Sequence, residues 1–394
     1  MLRPARPRRP DRADRYDTKK TTMHHDAPAD AIQTQGVRGA QVLILCAALE
    51  PNLAFWTERL GFRIEAIFPA DDPTTAMISG HGLQLRLQQG PDGAVQTIYL
   101  LCDDALLTGA GQTTLTAPSG VVVKLVDANP PMHTPTTVQK LVLTRATGND
   151  TWGLGRAGLR YRDLLPGRHG GAFIASHIRV LDGGPVPDYV HFHKIRFQTI
   201  FCRKGWVRVL YQGQGESFVM HEGDCVLQPP MIRHRVLESS AGAEVVEVSA
   251  PAEHITMADH GLALPGPDLP PGHDFAGQRF VRHVAATAAW MPWRAAGFEV
   301  QDTGIGPATN GLAGVRVVRP VGQGAQTQQA HDTELCFYFV LSGKVTIRCG
   351  KLSETLGPDD CITIPGGTAY SLGQCSADLQ LLEVTLPAEV APKI

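Results

Sequence analysis

Short apolar runs separated by turns rich in Gly, Pro and Asp recur along the chain from residue 37 onward. Runs of about four to eight residues that contain many Val, Ile, Leu and Phe are typical of β-strands. Clear examples are Gln41–Cys46, Thr97–Cys102, Val121–Val126 and Phe173–Arg179. The 41 Gly and 29 Pro residues, together with only 19% charged residues, favour many short strands over long helices. The pattern predicts a mostly β protein.

One helical pattern interrupts the strands near the start of the chain. Leu49–Leu60 predicts a helix with Pro51 in its first turn and Gly61 at its C-terminal end. Three further predicted strands follow at Phe62–Phe68, Thr75–Ser79 and Leu83–Leu87. Together with the strand before the helix, these elements predict a small α+β domain of order β-α-β-β-β. Residues 91–128 show little helical pattern, so no second module of this kind is expected.

The β-α-β-β-β order resembles one module of the vicinal oxygen chelate, or glyoxalase-like, superfamily. Leu53-Ala54-Phe55-Trp56 and Leu60-Gly61-Phe62 carry the resemblance. The family places metal ligands on the first and last strands of a module, where this chain has Gln41 and Gln84. Neither residue is a His or Glu, so the resemblance implies a degenerate or dimerising module rather than a metal centre.

The clearest chemical signal is the His-x-His pattern within Val190–Gln198. Alternate side chains of an extended strand share a face, so His191 and His193 point the same way. His234 follows the Pro229-Pro230 corner and opens another predicted strand. The three imidazoles could meet at one point, where they would suit zinc, iron, nickel, copper or manganese. The alternative is that they are hydrogen-bonded core or surface residues.

These residues resemble the two signature motifs of the cupin superfamily. The matched positions are His191, His193, Gln198, Gly205, Gly223, Asp224, Pro229 and His234. The resemblance implies a small antiparallel jelly-roll barrel, also called a double-stranded β-helix, with a mononuclear divalent metal inside. It implies His191, His193 and His234 as ligands, with Gln198 as a weaker ligand in place of the usual glutamate. Fe²⁺ is the expected ion, and Zn²⁺, Mn²⁺, Ni²⁺ and Cu²⁺ are the alternatives.

Two more residues are candidates for catalysis. Arg196 lies an odd number of residues past His193, so strict alternation turns Arg196 and Gln198 away from the histidine pair. A β-bulge that re-aimed Gln198 would also bring Arg196 to the metal side as a clamp for a substrate carboxylate. The alternative is a surface arginine. His177, on a predicted strand, either faces the cavity or is structural.

The barrel pattern occurs a second time. Asp224–Pro229 is echoed by Asp360–Pro365, and Gly205 is echoed by Gly343, which predicts two tandem barrels. At the positions of the four candidate ligands the second copy has Gln329, His331, Cys336 and Tyr370. Only one histidine remains, so a conventional metal site is not expected in the second barrel.

The predicted organisation comprises a disordered tail (1–36), a glyoxalase-like domain (37–128), a metal-binding cupin barrel (150–264) and a second, degenerate cupin barrel (273–390). The formal net charge of -2 argues against a nucleic-acid-binding surface. No apolar run is long enough to cross a membrane. Eight cysteines without a Cys-x-x-Cys motif predict reduced thiols in a cytoplasmic protein. Cupin barrels and glyoxalase-like modules both tend to pair through edge strands, so the resemblance implies a homodimer; the alternative is that the two barrels of one chain satisfy this pairing internally.

The functional hypotheses all concern the histidine site. Three histidines leave two or three coordination positions for a chelating substrate and for water or dioxygen. Cupin proteins with two barrels and one working site include ring-cleaving dioxygenases, so the leading hypothesis is a metal-dependent dioxygenase of a small aromatic or dicarbonyl compound. The alternatives are a metal-dependent isomerase or lyase, and a non-catalytic protein that binds a small ligand.

Overall fold

The computed structural model describes residues 37–390 apart from 70–71, 92, 94–95, 147–151, 156–157 and 323–327. The predicted tail, residues 1–36, lies outside the described residues. The structure is mostly β, as predicted, and it divides into two compact units, Met1–Pro130 and Pro131–Ile394. Within the described ranges, no helix has the length and apolar character that a membrane span requires. All eight cysteines are free thiols.

The N-terminal unit begins with the predicted β-α-β-β-β order. Its elements are β1 (Val42–Cys46), α1 (Leu49–Ala54), a π-helical turn (Phe55–Arg59), β2 (Arg63–Phe68), β3 (Thr75–Gly80) and β4 (Leu83–Gln89). The sheet order is β1-β4-β3-β2, with β1 parallel to β4. Trp56 is fully buried, and its ring packs edge-on against Phe62 with 5.1 Å between centroids. Gly61 follows the helical segment with a φ of +70°, a conformation that glycine adopts without strain.

A shorter sheet completes this unit. Its elements are β5 (Thr97–Cys102), α2 (Ala105–Thr108), β6 (Thr114–Thr116) and β7 (Val122–Asp127). The order β5-β7-β6, with β5 parallel to β7, repeats the arrangement of β1, β4 and β3. The expectation of little helix in residues 91–128 misses α2, because a single turn is too short to leave a helical periodicity. The side chain of Asp104 caps this turn by accepting a hydrogen bond from the Leu107 amide at 2.8 Å.

The second unit opens with β8 (Val142–Thr144) and continues into two sheets that we call the first double sheet. The strands of the first double sheet are β9 (Gly153–Leu154), β10 (Arg160–Asp163), β11 (Ile174–Val180), β12 (Gly184–Pro185), β13 (His191–Lys194), β14 (Phe197–Lys204), β15 (Trp206–Tyr211), β16 (Phe218–His221), β17 (Cys225–Leu227), β18 (His234–Ser239), β19 (Ala243–Ala250), β20 (Ile255–Ala258) and β21 (Val281–His283). One sheet has the order β21-β17-β14-β19-β11-β10-β9, and the other has the order β16-β15-β18-β13-β20 with β12 beside β18. A short helical turn, α3 (Arg168–Gly171), precedes β11.

The second double sheet has the same plan. Its strands are β22 (Met291–Pro292), β23 (Phe298–Asp302), β24 (Gly314–Pro320), β25 (Gln328–Gln329), β26 (Leu335–Ser342), β27 (Val345–Cys349), β28 (Leu352–Leu356), β29 (Cys361–Thr363), β30 (Tyr370–Gly373) and β31 (Gln380–Leu386). The larger sheet has the order β22-β23-β24-β31-β26-β29-β8, and the smaller has the order β25-β30-β27-β28. A 3₁₀ turn (Ala285–Thr287) and α4 (Ile305–Ala308) lie in the connections.

The two double sheets share one apolar core and exchange strands. A single buried cluster contains Phe197 and Phe201 of the first and Phe337 and Phe339 of the second. Strand β8 precedes the first double sheet in sequence but pairs with β29 of the second, and β21 pairs with β17 of the first. The predicted boundary between the barrels, residues 264–273, therefore does not separate the two double sheets completely, because β21 follows that boundary in sequence and pairs with the first double sheet. Each exchanged strand covers an edge of the larger sheet that receives it.

Candidate metal centre

Three histidines meet in the first double sheet. His191 and His193 lie on β13, His234 opens β18, and the pairing of these strands sets His191 opposite His234. All three side chains are buried, and their ring centroids lie 4.2 to 5.2 Å apart. One ligand nitrogen of each ring lies within 4.8 Å of the others. The structure thus brings together the three histidines that the two sequence motifs single out.

Hydrogen bonds on the outer side of the rings fix their orientation. Nδ1 of His191 lies 2.8 Å from the carbonyl oxygen of Tyr189, and Nδ1 of His234 lies 3.0 Å from that of Ile232. Nδ1 of His193 lies 3.0 Å from the hydroxyl of Thr256. A carbonyl oxygen can only accept, so Nδ1 carries the proton in His191 and His234, and the neutral rings have their lone pair on Nε2. Such outer hydrogen bonds are typical of metal-binding imidazoles, and the three rings fit a divalent metal.

A buried carboxylate adds to this outer layer. Asp188 Oδ1 lies 3.6 Å from Nδ1 of His191, and Asp188 Oδ2 accepts a hydrogen bond from the Val236 amide at 2.9 Å. The Asp188 side chain is only 2% exposed. A carboxylate behind a histidine raises the basicity of the ring as a ligand.

Gln198 lines the same cavity as the histidines, but from the opposite sheet. Strand β13 ends at Lys194, and β14 begins at Phe197 in the seven-stranded sheet. The alternation that would have turned Gln198 away from His193 does not apply, because the chain changes sheets at Ile195-Arg196. A change of sheet, rather than a β-bulge, aims Gln198 into the cavity.

The two ends of the Gln198 amide have different surroundings. Nε2 donates to Glu247 Oε1 at 2.8 Å, and the Ser249 hydroxyl donates to the same oxygen at 3.0 Å. Oε1 of Gln198 is buried without a hydrogen-bond partner in the described structure. Leaving a buried carbonyl oxygen unsatisfied is costly, and a cation held by the histidines would satisfy it. Gln198 therefore fits as a neutral oxygen ligand.

The cavity between the two sheets has a volume of about 340 Å³. Its walls are mainly apolar, with Ile174, Ile178, Val207 and Met220 among the lining residues. A small organic ligand fits a space of this size and character. The Tyr211 ring stacks on His234, and its hydroxyl oxygen accepts a hydrogen bond from Gln228 Nε2 at 2.7 Å. Burial raises the pKa of Tyr211 above its usual value, so the hydroxyl stays neutral.

Arg196 lies outside the cavity lining. Its guanidinium forms two hydrogen bonds, of 2.9 and 3.2 Å, with the carboxylate of Glu334, which directly precedes β26. The residue sits in the bend between β13 and β14, where no strand alternation aims it at the metal side. The structure thus places Arg196 in an ion pair between the two double sheets, which differs from the predicted carboxylate clamp.

His177 also lies away from the cavity. Its strand neighbours Ser176 and Ile178 line the cavity, so alternation turns His177 to the opposite face of the sheet. There Nε2 lies 2.8 Å from Glu244 and Nδ1 lies 3.1 Å from Arg162. Of the two expectations for His177, this placement fits the structural one and differs from the cavity-facing one, because strand register decides which face a residue takes.

His177, Glu244 and Asp359 offer ligand atoms within 4.8 Å of one another, yet arginines already neutralise both carboxylates. Arg179 pairs with Glu244 at 3.0 Å, and Arg203 pairs with Asp359 at 2.9 Å. Burial alone would raise the pKa of Glu244, but the hydrogen bond and charge of His177, with Arg179, lower it to about 2. This cluster fits an ion-pair network better than a second metal site.

Several cavity residues escaped the sequence analysis. Glu247 lies in β19, a mostly buried strand that also contains Glu244 and Ser249, and Thr256 on β20 contacts His193. His254 also lines the cavity, with its ring 5.4 Å from that of His193. An acidic residue on the inward face of a β-strand was the one available signal for Glu247.

In the second double sheet, the corresponding positions hold a different cluster. Gln329 pairs with Tyr370 as His191 pairs with His234. Tyr338 lies opposite Glu383 on strands β26 and β31, just as Ile200 lies opposite Glu247 on β14 and β19. Glu383 is therefore the counterpart of Glu247.

The Glu383 carboxylate is fully buried and neutralised by the protein itself. Its partners are Arg294 with two hydrogen bonds, Tyr338 at 2.9 Å and Arg316 at 3.6 Å, and the Tyr338 hydroxyl also lies 2.9 Å from that of Tyr370. Burial alone would raise the pKa of Glu383, but Arg294 and Arg316 hold it below its usual value. The positive charge in the second double sheet thus comes from guanidinium groups.

Comparisons with known proteins agree with this architecture. No family model matches the chain, and no curated protein matches its sequence. Among solved structures, salicylate 1,2-dioxygenase from Pseudaminobacter salicylatoxidans is similar with a TM-score of 0.50 and 14% identity, over 65% of this chain and 86% of that chain. Protein Ylba from E. coli has a TM-score of 0.48 and 11% identity, over 66% of this chain and 96% of that chain. A deletion mutant of Bacillus subtilis oxalate decarboxylase OxdC has a TM-score of 0.45 and 13% identity, over 67% of this chain and 80% of that chain.

The likeness to the dioxygenase shows the fold alone, because the sequences share so few residues. These structural neighbours are cupin-fold proteins, and the predicted cupin fold is confirmed at this level. The buried histidine cluster within that fold points to a divalent metal. The two-barrel layout, the glyoxalase-like module and the choice of metal stay predictions.

Proposed function

We propose that this protein is a metal-dependent dioxygenase that acts on a small aromatic or dicarbonyl compound in the cavity of the first double sheet. The observation that carries the proposal is the buried group of His191, His193 and His234 beside a mainly apolar cavity. Outer hydrogen bonds to carbonyl oxygens leave the Nε2 lone pairs of His191 and His234 available. Gln198 is the proposed fourth ligand. A bound Fe²⁺ would supply the redox chemistry that dioxygen requires.

The chain's own residues have three tasks in this proposal. The histidines and Gln198 would hold the metal without adding negative charge, which favours chelation by a pair of substrate oxygens. The apolar wall, which includes Ile178 and Val207, packs against the ring or carbon chain of the substrate and excludes water. Tyr211 and Gln228 offer neutral polar contacts near His234.

Oxygen uptake by the iron-loaded protein tests this function. Protein loaded anaerobically with Fe²⁺ is mixed with catechols, gentisate-like acids and β-diketones, and dissolved oxygen is followed with an electrode. We expect uptake with at least one class of compound and none with the His193→Ala, His234→Ala double variant. Fully iron-loaded protein that consumes no oxygen with any of these compounds would be evidence against an oxygenase.

A non-oxidative isomerase or lyase is the second candidate. The Glu247 carboxylate in the same cavity favours it, because enol chemistry needs a proton acceptor near the metal. Product formation by zinc-loaded protein in the absence of oxygen would support this candidate over the first. Saturable ligand binding without turnover under either condition would favour a non-catalytic binding protein.

We also propose that the two double sheets are tandem cupin barrels, that residues 37–128 are a glyoxalase-like module, and that the chain forms a homodimer. The matching strand orders of the two double sheets support the tandem arrangement. The sheet order β1-β4-β3-β2 with its parallel pair supports the module. Light scattering of the purified protein tests the dimer.

A further inference from the structure

Glu247 is the one acidic side chain among the described residues that line the cavity. Its Oε1 accepts hydrogen bonds from both Gln198 and Ser249. Within the described part of the chain, no donor reaches Oε2. The cavity therefore presents a carboxylate oxygen on the same side as the proposed ligand Gln198.

The second double sheet shows what kind of group a glutamate at this position binds. Its counterpart Glu383 is engaged by the guanidinium of Arg294 and the phenol hydroxyl of Tyr338. The residue in the first double sheet that corresponds to Tyr338 is Ile200, which has no hydrogen-bonding group. The carboxylate thus pairs with a guanidinium and a phenol hydroxyl in the second double sheet, whereas its described partners in the first double sheet are the Gln198 amide and the Ser249 hydroxyl.

Among the described residues that line the cavity, no arginine or lysine pairs with Glu247. Arg235 is the one arginine or lysine among the described lining residues. Arg235 lies opposite Leu210 on β15. The neighbours of Leu210, Val209 and Tyr211, line the cavity, and Leu210 itself does not. Strand alternation therefore turns the Arg235 side chain to the outer face of the sheet.

From this contrast we propose that Glu247 is a specificity residue, which binds a cationic nitrogen of the substrate while the opposite end of the substrate chelates the metal. The inference rests on the proposed metal-chelating function and narrows its substrate class. A substrate ammonium would take the place that Arg294 takes beside Glu383, whereas a substrate carboxylate at that position would be repelled.

Three catechols that differ mainly in charge test the inference. They are dopamine, which carries an ammonium group, neutral 4-ethylcatechol, and the anion 3,4-dihydroxyphenylacetate. Binding is measured by calorimetry at pH 7 with zinc-loaded protein, since zinc chelates catechols without redox turnover. A charge-assisted hydrogen bond predicts that dopamine binds at least about tenfold more tightly than 3,4-dihydroxyphenylacetate.

Variants assign the preference to the carboxylate. Glu247→Gln keeps the shape of the side chain and should bring the two dissociation constants to within about twofold of each other. Glu216→Gln removes an exposed carboxylate outside the cavity lining and should retain the wild-type preference. Thermal unfolding of both variants checks that the fold is intact.

Arg156 provides a further control, because Gly155-Arg156-Ala157 corresponds in sequence to Trp293-Arg294-Ala295. If the preference for dopamine is absent from the wild type and arises only in Arg156→Met, the chain supplies its own cation and the inference is wrong. Equal binding of all three catechols to both proteins also overturns it, and leaves the chelation proposal standing. If no catechol binds, catechol chelation fails and the inference fails with it.

Discussion

The two double sheets have one plan and two internal chemistries. In the first, three histidines and Gln198 surround a space of about 340 Å³. In the second, the place of the histidine pair on adjacent strands is taken by Gln329 and Tyr370, and a guanidinium pairs with the buried carboxylate. The comparison teaches that the strand register fixes where side chains converge, while a few residue identities decide whether that point binds a cation or already contains one.

Both double sheets, the two halves of the second unit, contain a glutamate at the same position. Glu247 and Glu383 occupy matching positions in their sheets, opposite Ile200 and Tyr338. A charge in a low-dielectric interior requires compensation. Arg294 provides it for Glu383, whereas the described hydrogen-bond partners of Glu247 are the uncharged Gln198 and Ser249.

Removing two histidines should have the largest effect, which is on the metal content of the protein. We expect His193→Ala, His234→Ala to reduce a near-stoichiometric metal content to almost none, because two of three imidazole ligands are lost. His331→Ala, at the corresponding place in the second half, should leave the metal content unchanged. Elemental analysis of protein purified without a histidine tag gives the answer. Loss of metal in His331→Ala alone would reverse the roles of the two halves.

Removing the built-in cation of the second half gives the next largest effect. Arg294→Met leaves Glu383 buried without its main partner, and removing one member of a buried pair costs about 3 to 5 kcal/mol of folding free energy. Arg208→Met breaks an exposed pair with Glu238 and should cost less than about 1 kcal/mol. Urea denaturation measures both free energies of unfolding.

A compensating variant separates charge from packing in this second test. Arg294→Met combined with Glu383→Gln removes the uncompensated carboxylate and should recover part of the lost stability. Equal destabilisation by Arg294→Met and Arg208→Met would show that the guanidinium does not act as the internal counter-charge of the second half.

Much of the fold and the centre of the site were predictable from the sequence. Apolar runs and turn residues predicted a mostly β chain, and the two-residue spacing predicted that His191 and His193 share a face. The motif resemblance added His234, and the structure brings the three histidines together. These signals are local, since they depend on the two-residue period of a strand and on motif spacing.

The remainder depends on contacts between residues distant in sequence. Alternation counted from His193 could not show that the chain changes sheets at Ile195-Arg196, and so it mis-aimed Gln198. The face taken by His177 depends on the register of β11 against its neighbours. Glu247 acquires meaning only through its contact with Gln198, which lies 49 residues away. Pattern within one strand carries none of this information.

The interface between the halves provides a test of intermediate size. Glu244 has a pKa lowered from about 4.5 to about 2, so its contribution to stability is complete above pH 4.5 and is lost as the pH falls towards 2. Allowing for the exposure of its partner Arg179, we expect Glu244→Gln to lose about 1 to 2 kcal/mol at pH 7. Urea denaturation at pH 7 and pH 3 should show a smaller difference from wild type at pH 3. A difference that is constant with pH would contradict the ion-pair explanation.

The ion pair between Arg196 and Glu334 carries the smallest expected effect and decides between two roles for this arginine. The pair is partly exposed, so Arg196→Met and Glu334→Gln should each change the free energy of unfolding by no more than about 1 kcal/mol. If Arg196 only links the halves, both variants should bind 3,4-dihydroxyphenylacetate with the wild-type dissociation constant. A loss of affinity of about tenfold in Arg196→Met alone would instead support the carboxylate clamp, because Glu334→Gln leaves the guanidinium in place.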